Sequence, residues 1–231
     1  MKIVRRRLLA AFAGLSLFAS AFGQPAGTLY DPEPPSDSAY LRVFWSSSKG
    51  NIEVWVDGRQ RVSALPAGTA SDYLILPAGA HTVALRVPVE KKERASVQVE
   101  LQRGSATTVA FATSKNGPTP FVFEDKANSN KLKAVLNFYH LQSSSGPMNV
   151  TTGDGKLKVF SEVPFGKSAS MSVNPIQVEL AVVNAADAKE RGRTKLAMTQ
   201  GANYSLFAFG QDGALALFTQ ESKTEKYRPQ P

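Results

Sequence analysis

The chain has 231 residues, with 27 Lys and Arg against 19 Asp and Glu, and no cysteine. Disulfides, thiolate catalysis and cysteine-ligated metals are excluded, so stability must come from burial. Four of the basic residues precede the first apolar run; the other 23 against 19 acids leave a surplus of four, which permits attraction to a polyanion without demanding it.

Lys2, Arg5, Arg6 and Arg7 open the chain, an apolar run occupies 8–18, and small residues follow at Ala19-Ser20-Ala21. This three-part pattern predicts a secretory signal peptide over 1–23, cleaved after Ala21 or Gly23. The competing reading, a permanent membrane anchor, is disfavoured because a spanning helix needs about 20 apolar residues. An exported chain without a Lys/Arg block is not expected to meet nucleic acid. Residues 24–37, rich in proline and acid, should be extended.

From residue 38 the chain reads as strands. Leu41, Val43 and Trp45 alternate with Tyr40, Arg42 and Phe44, and Ile52, Val54 and Val56 alternate with Glu53 and Trp55. Period-two alternation marks strands with one buried face. Asp57-Gly58 is a hairpin signal, because both residues tolerate positive φ. Further strands follow at 82–87, 97–101 and 107–111.

Much of this pattern is then written again. Leu41-Arg42-Val43-Phe44-Trp45 is answered by Val135-Leu136-Asn137-Phe138-Tyr139, and Asp57-Gly58 by Asp154-Gly155. Leu65-Pro66-Ala67-Gly68 is answered by Val163-Pro164-Phe165-Gly166, Val83-Ala84-Leu85 by Val178-Glu179-Leu180, and Gly104-Ser105 by Gly201-Ala202. The order never changes, which favours a tandem repeat over the alternative that any two β domains share turns about every 8–12 residues. About seven short strands per copy, without helical periodicity, predict an all-β protein of two tandem β-sandwich domains. The expected boundaries are 38–115 and 131–222, with a linker at 116–130 and a flexible tail at 223–231.

The linker region holds Phe121-Val122-Phe123-Glu124-Asp125, too apolar for a plain connection. Two readings stand: a patch packed between the domains or against a partner, and an edge strand of the first sandwich.

No catalytic constellation emerges. The two histidines, His81 and His140, have no motif-spaced partner. There is no Gly-x-Ser-x-Gly elbow, phosphate loop or calcium loop. A non-enzyme without cofactor or metal is therefore expected. The candidate contacts are aromatic and basic. Trp55 lies opposite the parity of Val54 and Val56; it is either exposed, offering its ring to a sugar or a partner, or covered by a neighbour. Phe121, Phe123, Lys131 and Lys133 complete the candidate set. Arg42 is grouped with the basic residues expected in solvated positions.

Thr28-Leu29-Tyr30-Asp31-Pro32, Ala39-Tyr40-Leu41-Arg42-Val43, Phe123-Glu124-Asp125-Lys126 and the run from Lys133 to Tyr139 together resemble the AlgF family of alginate biosynthesis proteins, accessory factors in alginate O-acetylation. The resemblance spans the mature chain but carries no catalytic signature. It implies a periplasmic location and partnership with a membrane-bound acyltransferase of the MBOAT type and periplasmic acetyltransferases of the SGNH type. The function expected is a non-catalytic adaptor among them. The alternative is a module that binds the anionic polysaccharide alginate itself.

Overall fold

The strand order repeats itself across the two halves. In the computed structural model, which describes residues 32–228 apart from 48, 91, 115–116 and 212–213, the first half contains β1 (Ser38–Trp45), β2 (Ile52–Val56), β3 (Arg59–Leu65), β4 (Thr69–Ala70), β5 (Leu74–Pro77), β6 (Gly79–Arg86), β7 (Glu93–Leu101), β8 (Ala106–Ser114) and β9 (Gly117–Asp125). The second contains β10 (Ala134–Gln142), β11 (Met148–Thr152), β12 (Lys158–Val163), β13 (Ser168–Val173), β14 (Ile176–Asn184), β15 (Glu190–Met198), β16 (Asn203–Gly210) and β17 (Ala216–Glu221). The expected signal peptide lies outside the described residues.

Each half is a sandwich of two sheets. The first pairs an inner sheet of order β4-β1-β8-β9, with β5 also on β1, and an outer sheet of order β3-β2-β6-β7. The second has the same plan, β13-β10-β16-β17 inside and β12-β11-β14-β15 outside. In both, the opening strand runs parallel to a late one, β1 beside β8 and β10 beside β16. The tandem repeat is therefore a repeat of topology.

The register refines the repeat. Gly68 N–H donates to the Trp45 carbonyl, and Gly166 N–H donates to that of His140. Trp45 thus corresponds to His140, and Leu41 to Leu136 rather than Val135. The sequence match at this strand is one residue out, and a slip of one exchanges the two faces of a strand. In the fourth matched block the slip is two: Val83 and Leu85 pair with Val56 and Val54, as Leu180 and Val182 pair with Thr152 and Val150. A slip of two keeps the same face, so periodicity alone cannot detect it.

Three apolar clusters hold the molecule together. Leu41, Val43, Val54, Leu85 and Phe111 fill the first sandwich; Leu136, Phe138, Val150, Leu180 and Leu206 fill the second. A third cluster, Phe44, Ala110, Phe123, Tyr139, Leu141, Phe207 and Phe209, lies between the two inner sheets. Four sheets therefore stack, and the middle two are covered on both faces. All nine residues of β10 are buried. Its near-continuous apolar run, Ala134-Val135-Leu136 and Phe138-Tyr139, suits a strand with no solvated face. Residues from Pro32 onward cluster as one unit.

Two expected boundaries shift. The expected linker 116–130 contains β9, which pairs with β8 along its whole length, from Ser114 opposite Gly117 to Ala106 opposite Asp125. Both readings of the Phe121–Asp125 patch hold at once: it is an edge strand, and Phe123 is in the cluster between the halves. The expected free tail is partly anchored. Tyr73 N–H donates to the Lys223 carbonyl at 2.8 Å, and Glu225 N–H to the Tyr73 carbonyl at 2.9 Å. Its polar composition hides this, because main-chain bonds and one carboxylate make the attachment.

Candidate functional site

The chemistry of the molecule concentrates where the inner sheets face each other. β1 turns Leu41 and Val43 into its own sandwich, so Arg42 and Phe44 point at the other half. Arg42 is fully buried, contrary to the solvated position expected. Its Nε donates to Thr108 Oγ1 at 2.7 Å, and its Nη2 donates to Ser205 Oγ at 2.7 Å and Tyr139 Oη at 2.9 Å. Nη1 reaches Ser222 Oγ at 3.3 Å. Thr108 belongs to the first half; Ser205, Tyr139 and Ser222 belong to the second.

Asp125, at the end of β9, lies 3.9 Å from Arg42 Nη2. It accepts hydroxyl hydrogen bonds from Tyr73, Thr108 and Tyr139. The guanidinium also lies 4.7 Å from the centroid of the Tyr73 ring and 5.4 Å from that of Phe207. Burial alone would pull the Arg42 guanidinium down, but the oxygens of Tyr139, Tyr73 and Asp125 outweigh it and hold it above its usual range. Burial, supported by Asp125 against the opposing pull of Arg42, pushes both Tyr73 and Tyr139 up, so both phenols stay protonated and donate.

Around this polar knot the rings form a stack. Phe44 lies parallel to Phe207 at 4.1 Å, and Tyr139 stacks on Phe207 at 4.5 Å. Phe123 meets Tyr139 edge-on at 5.3 Å. Two repeat-equivalent turns complete the seam by exchange. Gly68 sits under Phe209 of the second half and Gly166 under Phe121 of the first, and both have positive φ, where a side chain would be strained as well as crowded. Arg42 finds all its acceptors in only one relative placement of the two halves, so the arrangement can hold a fixed geometry between them.

The sequence candidates divide. Phe121 and Phe123 lie at the junction, stacked at 6.4 Å, with Phe121 also edge-on to Phe165 at 5.1 Å. Lys131 is exposed and lines a cleft of about 790 Å³ together with Tyr73, Asn128 and Ser222. Half-buried Lys133 serves through its backbone, whose carbonyl accepts from Asn128 Nδ2 and the Gly201 N–H. Trp55 takes no part in these contacts. It stands half-buried on the outer sheet, where its Nε1 donates to Glu53 at 2.8 Å and the Arg86 guanidinium covers its ring at 4.3 Å. Sequence reasoning passed over Arg42, Tyr73 and Tyr139 as site residues. The available signal was the apolar character of both parities around Arg42, Leu41 and Val43 on one and Phe44 on the other.

Among the described residues, neither histidine assembles a hydrolytic triad. His81 lies between two acceptors, Asp57 Oδ2 at 2.6 Å and the Pro77 carbonyl at 2.9 Å, with no hydroxyl on the ring. His140 Nε2 lies 3.2 Å from Ser145 Oγ, but behind the ring its Nδ1 meets the Val163 carbonyl at 2.9 Å where a triad has a carboxylate. Burial draws the His140 imidazole below its usual range. Among the described residues, no three His, Asp or Glu side chains converge on a metal-sized site.

Comparison with known proteins decides the family. A family model described as alginate O-acetyl transferase AlgF matches residues 12–205. This chain belongs to the AlgF family. The alginate biosynthesis protein AlgF of Pseudomonas aeruginosa is 28% identical over 204 residues, covering 87% of this chain and 88% of the relative. AlgF of Azotobacter vinelandii is 27% identical over 187 residues, covering 78% and 79%. A solved structure of the C-terminal domain of P. aeruginosa AlgF aligns with 39% of this chain and 99% of that domain, at 23% identity and a TM-score of 0.34. Alginate biosynthesis and its acetylation step are thus the setting in which this AlgF-family chain and its fused sandwiches have to be read.

Proposed function

We propose that this AlgF-family protein is a non-catalytic periplasmic adaptor for alginate O-acetylation. It would link a membrane-bound acyltransferase of the MBOAT type to periplasmic acetyltransferases of the SGNH type, and the acyl chemistry would belong to those partners. The observation that carries this reading is the junction: its buried aromatic and polar groups, drawn from both halves, are not spent on an open active site but on locking two sandwiches together. A rigid body of this kind holds two bound partners at a fixed spacing and raises their effective concentration. The His140–Ser145 contact lacks the carboxylate that would orient the imidazole, which also favours a chain that does no acyl transfer itself.

The polysaccharide-binding alternative has less support. A sugar platform needs an open aromatic face, and the Trp55 ring is covered by Arg86.

Affinity capture from an alginate-producing cell tests the adaptor reading. Both classes of acetylation protein should be retained, alginate from a deletion strain should lose its acetyl groups, and the purified chain should not turn over an acyl donor. Turnover by the purified chain, or capture of no acetylation protein, would overturn it.

A further inference from the structure

A second cleft, of about 970 Å³, opens along one side of the first sandwich. One wall is the start of β3, the edge strand of the outer sheet, with Arg59 and Arg61. The other is β5, and the anchored C-terminal segment closes the rim with Tyr227 and Arg228. The charges in it are unevenly committed. Asp57 is taken by His81 and by the Thr82 N–H, and Glu225 by Arg61 at 2.6 Å and the Ile75 N–H at 2.8 Å. Arg59 and Arg228 are exposed, and neither guanidinium donates a hydrogen bond among the described residues, although Arg59 lies in the field of Asp57 and Asp37 also lines the cleft.

The C-terminal segment shows what this cleft holds. Glu225 inserts its carboxylate between the Arg61 guanidinium and the Ile75 N–H at the edge of β5, while residues 223–225 are tied to Tyr73, outside the cleft lining, by one parallel β-bridge. A side-chain carboxylate is therefore already bound once at this strand edge, by the chain itself. The two arginines beside it that form no hydrogen bond match more carboxylates of the same kind.

We infer that this cleft docks an acidic, extended peptide segment of a partner protein, its carboxylates pairing with Arg59 and Arg228. The inference rests on the adaptor reading and names one face that such an adaptor uses. A peptide is favoured over a carboxylated sugar chain because the cleft walls are strand edges, and the Ile75 N–H of one of them already takes a side-chain carboxylate.

The test uses the full mature chain and three labelled probes: a decaglutamate peptide, a decalysine peptide and a mannuronate oligomer of matching charge. Decaglutamate should bind, with affinity falling as salt rises from about 25 to about 250 mM, because screening shortens the reach of exposed charges. The double variant Arg59→Glu/Arg228→Glu should weaken it about tenfold or more, a change of ~1.4 kcal/mol. The charge-matched Lys158→Glu/Lys195→Glu, on exposed positions of the second half, should bind as the parent does. No binding of decaglutamate, equal loss in both variants, or binding of the mannuronate oligomer alone would overturn the inference. Affinity capture separates it from the reading beneath it. If Arg59→Glu/Arg228→Glu retains the acetylation proteins as well as the parent, the cleft is not the docking face and the adaptor stands. If that variant alone loses a partner, the cleft is supported.

Discussion

The two halves share a topology yet meet each other with unequal chemistry. Arg42 of β1 and Asn137 of β10 sit at corresponding positions, opposite Thr108 and Ser205 respectively. Arg42 spends one hydrogen bond inside its half, on Thr108, and the rest across the junction, on Tyr139, Ser205 and Ser222. Asn137 spends its own inside its half, on Ser170 and the Tyr204 carbonyl. The Gly68 and Gly166 turns are the reverse case: equivalent in sequence and alike in use, each seating a phenylalanine from the other half. The facing strands match in topology, and the buried charge of Arg42 on one of them makes the seam directional.

The largest expected effects come from breaking the shared centre. Phe207→Ala removes a ring stacked on both Phe44 and Tyr139 and should destabilise by ~3–5 kcal/mol in urea unfolding. Arg42→Ala strands Asp125 among tyrosines and should lose a similar ~3–5 kcal/mol. Asn137→Ala should lose only ~1–2 kcal/mol, having no charge to strand. Equal losses at the two positions would erase the asymmetry.

The turns sharpen the comparison at a smaller scale. Backbone strain is matched, with φ of 71° at Gly68 and 73° at Gly166. A Cβ at Gly68 would come within 2.9 Å of Phe209, while one at Gly166 would come within 2.4 Å of Phe121. Both Gly→Ala variants should destabilise by ~1–3 kcal/mol, Gly166→Ala the more. Thermal melts of the two variants side by side provide the check.

The Asp57 hairpin gives the next test, in pH. Burial would raise the Asp57 carboxyl, but the Thr82 N–H and His81 outweigh it and hold it below the ordinary range. A depressed folded value stabilises above the unfolded value of about 3.9 and loses that contribution as pH falls through the folded value. Asp57→Asn should therefore flatten the acid limb of the stability curve, seen as a smaller loss of melting temperature between about pH 5 and about pH 2. Least of all, Glu225→Gln should shift stability by less than about 1 kcal/mol, since the Arg61 pair is part-exposed.

How much of this was legible follows from what periodicity can carry. The alternation at Ile52, Val54 and Val56 and the paired turns Asp57-Gly58 and Leu65-Pro66-Ala67-Gly68 were enough for strands, hairpins and the repeat. The single-face assumption then failed at β1 and β10, because alternation measures one buried face and these strands have two. The one-residue slip between Leu41 and its true counterpart Leu136 has the same origin: when both parities are apolar, either register matches. Arg42 was hidden because a buried arginine is recognisable only from its partners, and Thr108, Asp125, Tyr139 and Ser205 are spread across both halves. The tail was hidden because Lys223 and Glu225 are held by main-chain bonds and a carboxylate.

The central claim is that the two sandwiches are one body, locked through their inner sheets. Amide hydrogen exchange on β1 and β10 tests it most directly. The account predicts that both strands open only with global unfolding, at one shared free energy, and that Arg42→Ala lowers protection in both by the same amount. Protection lost in β1 while β10 keeps its own, in the parent or in the variant, would contradict it.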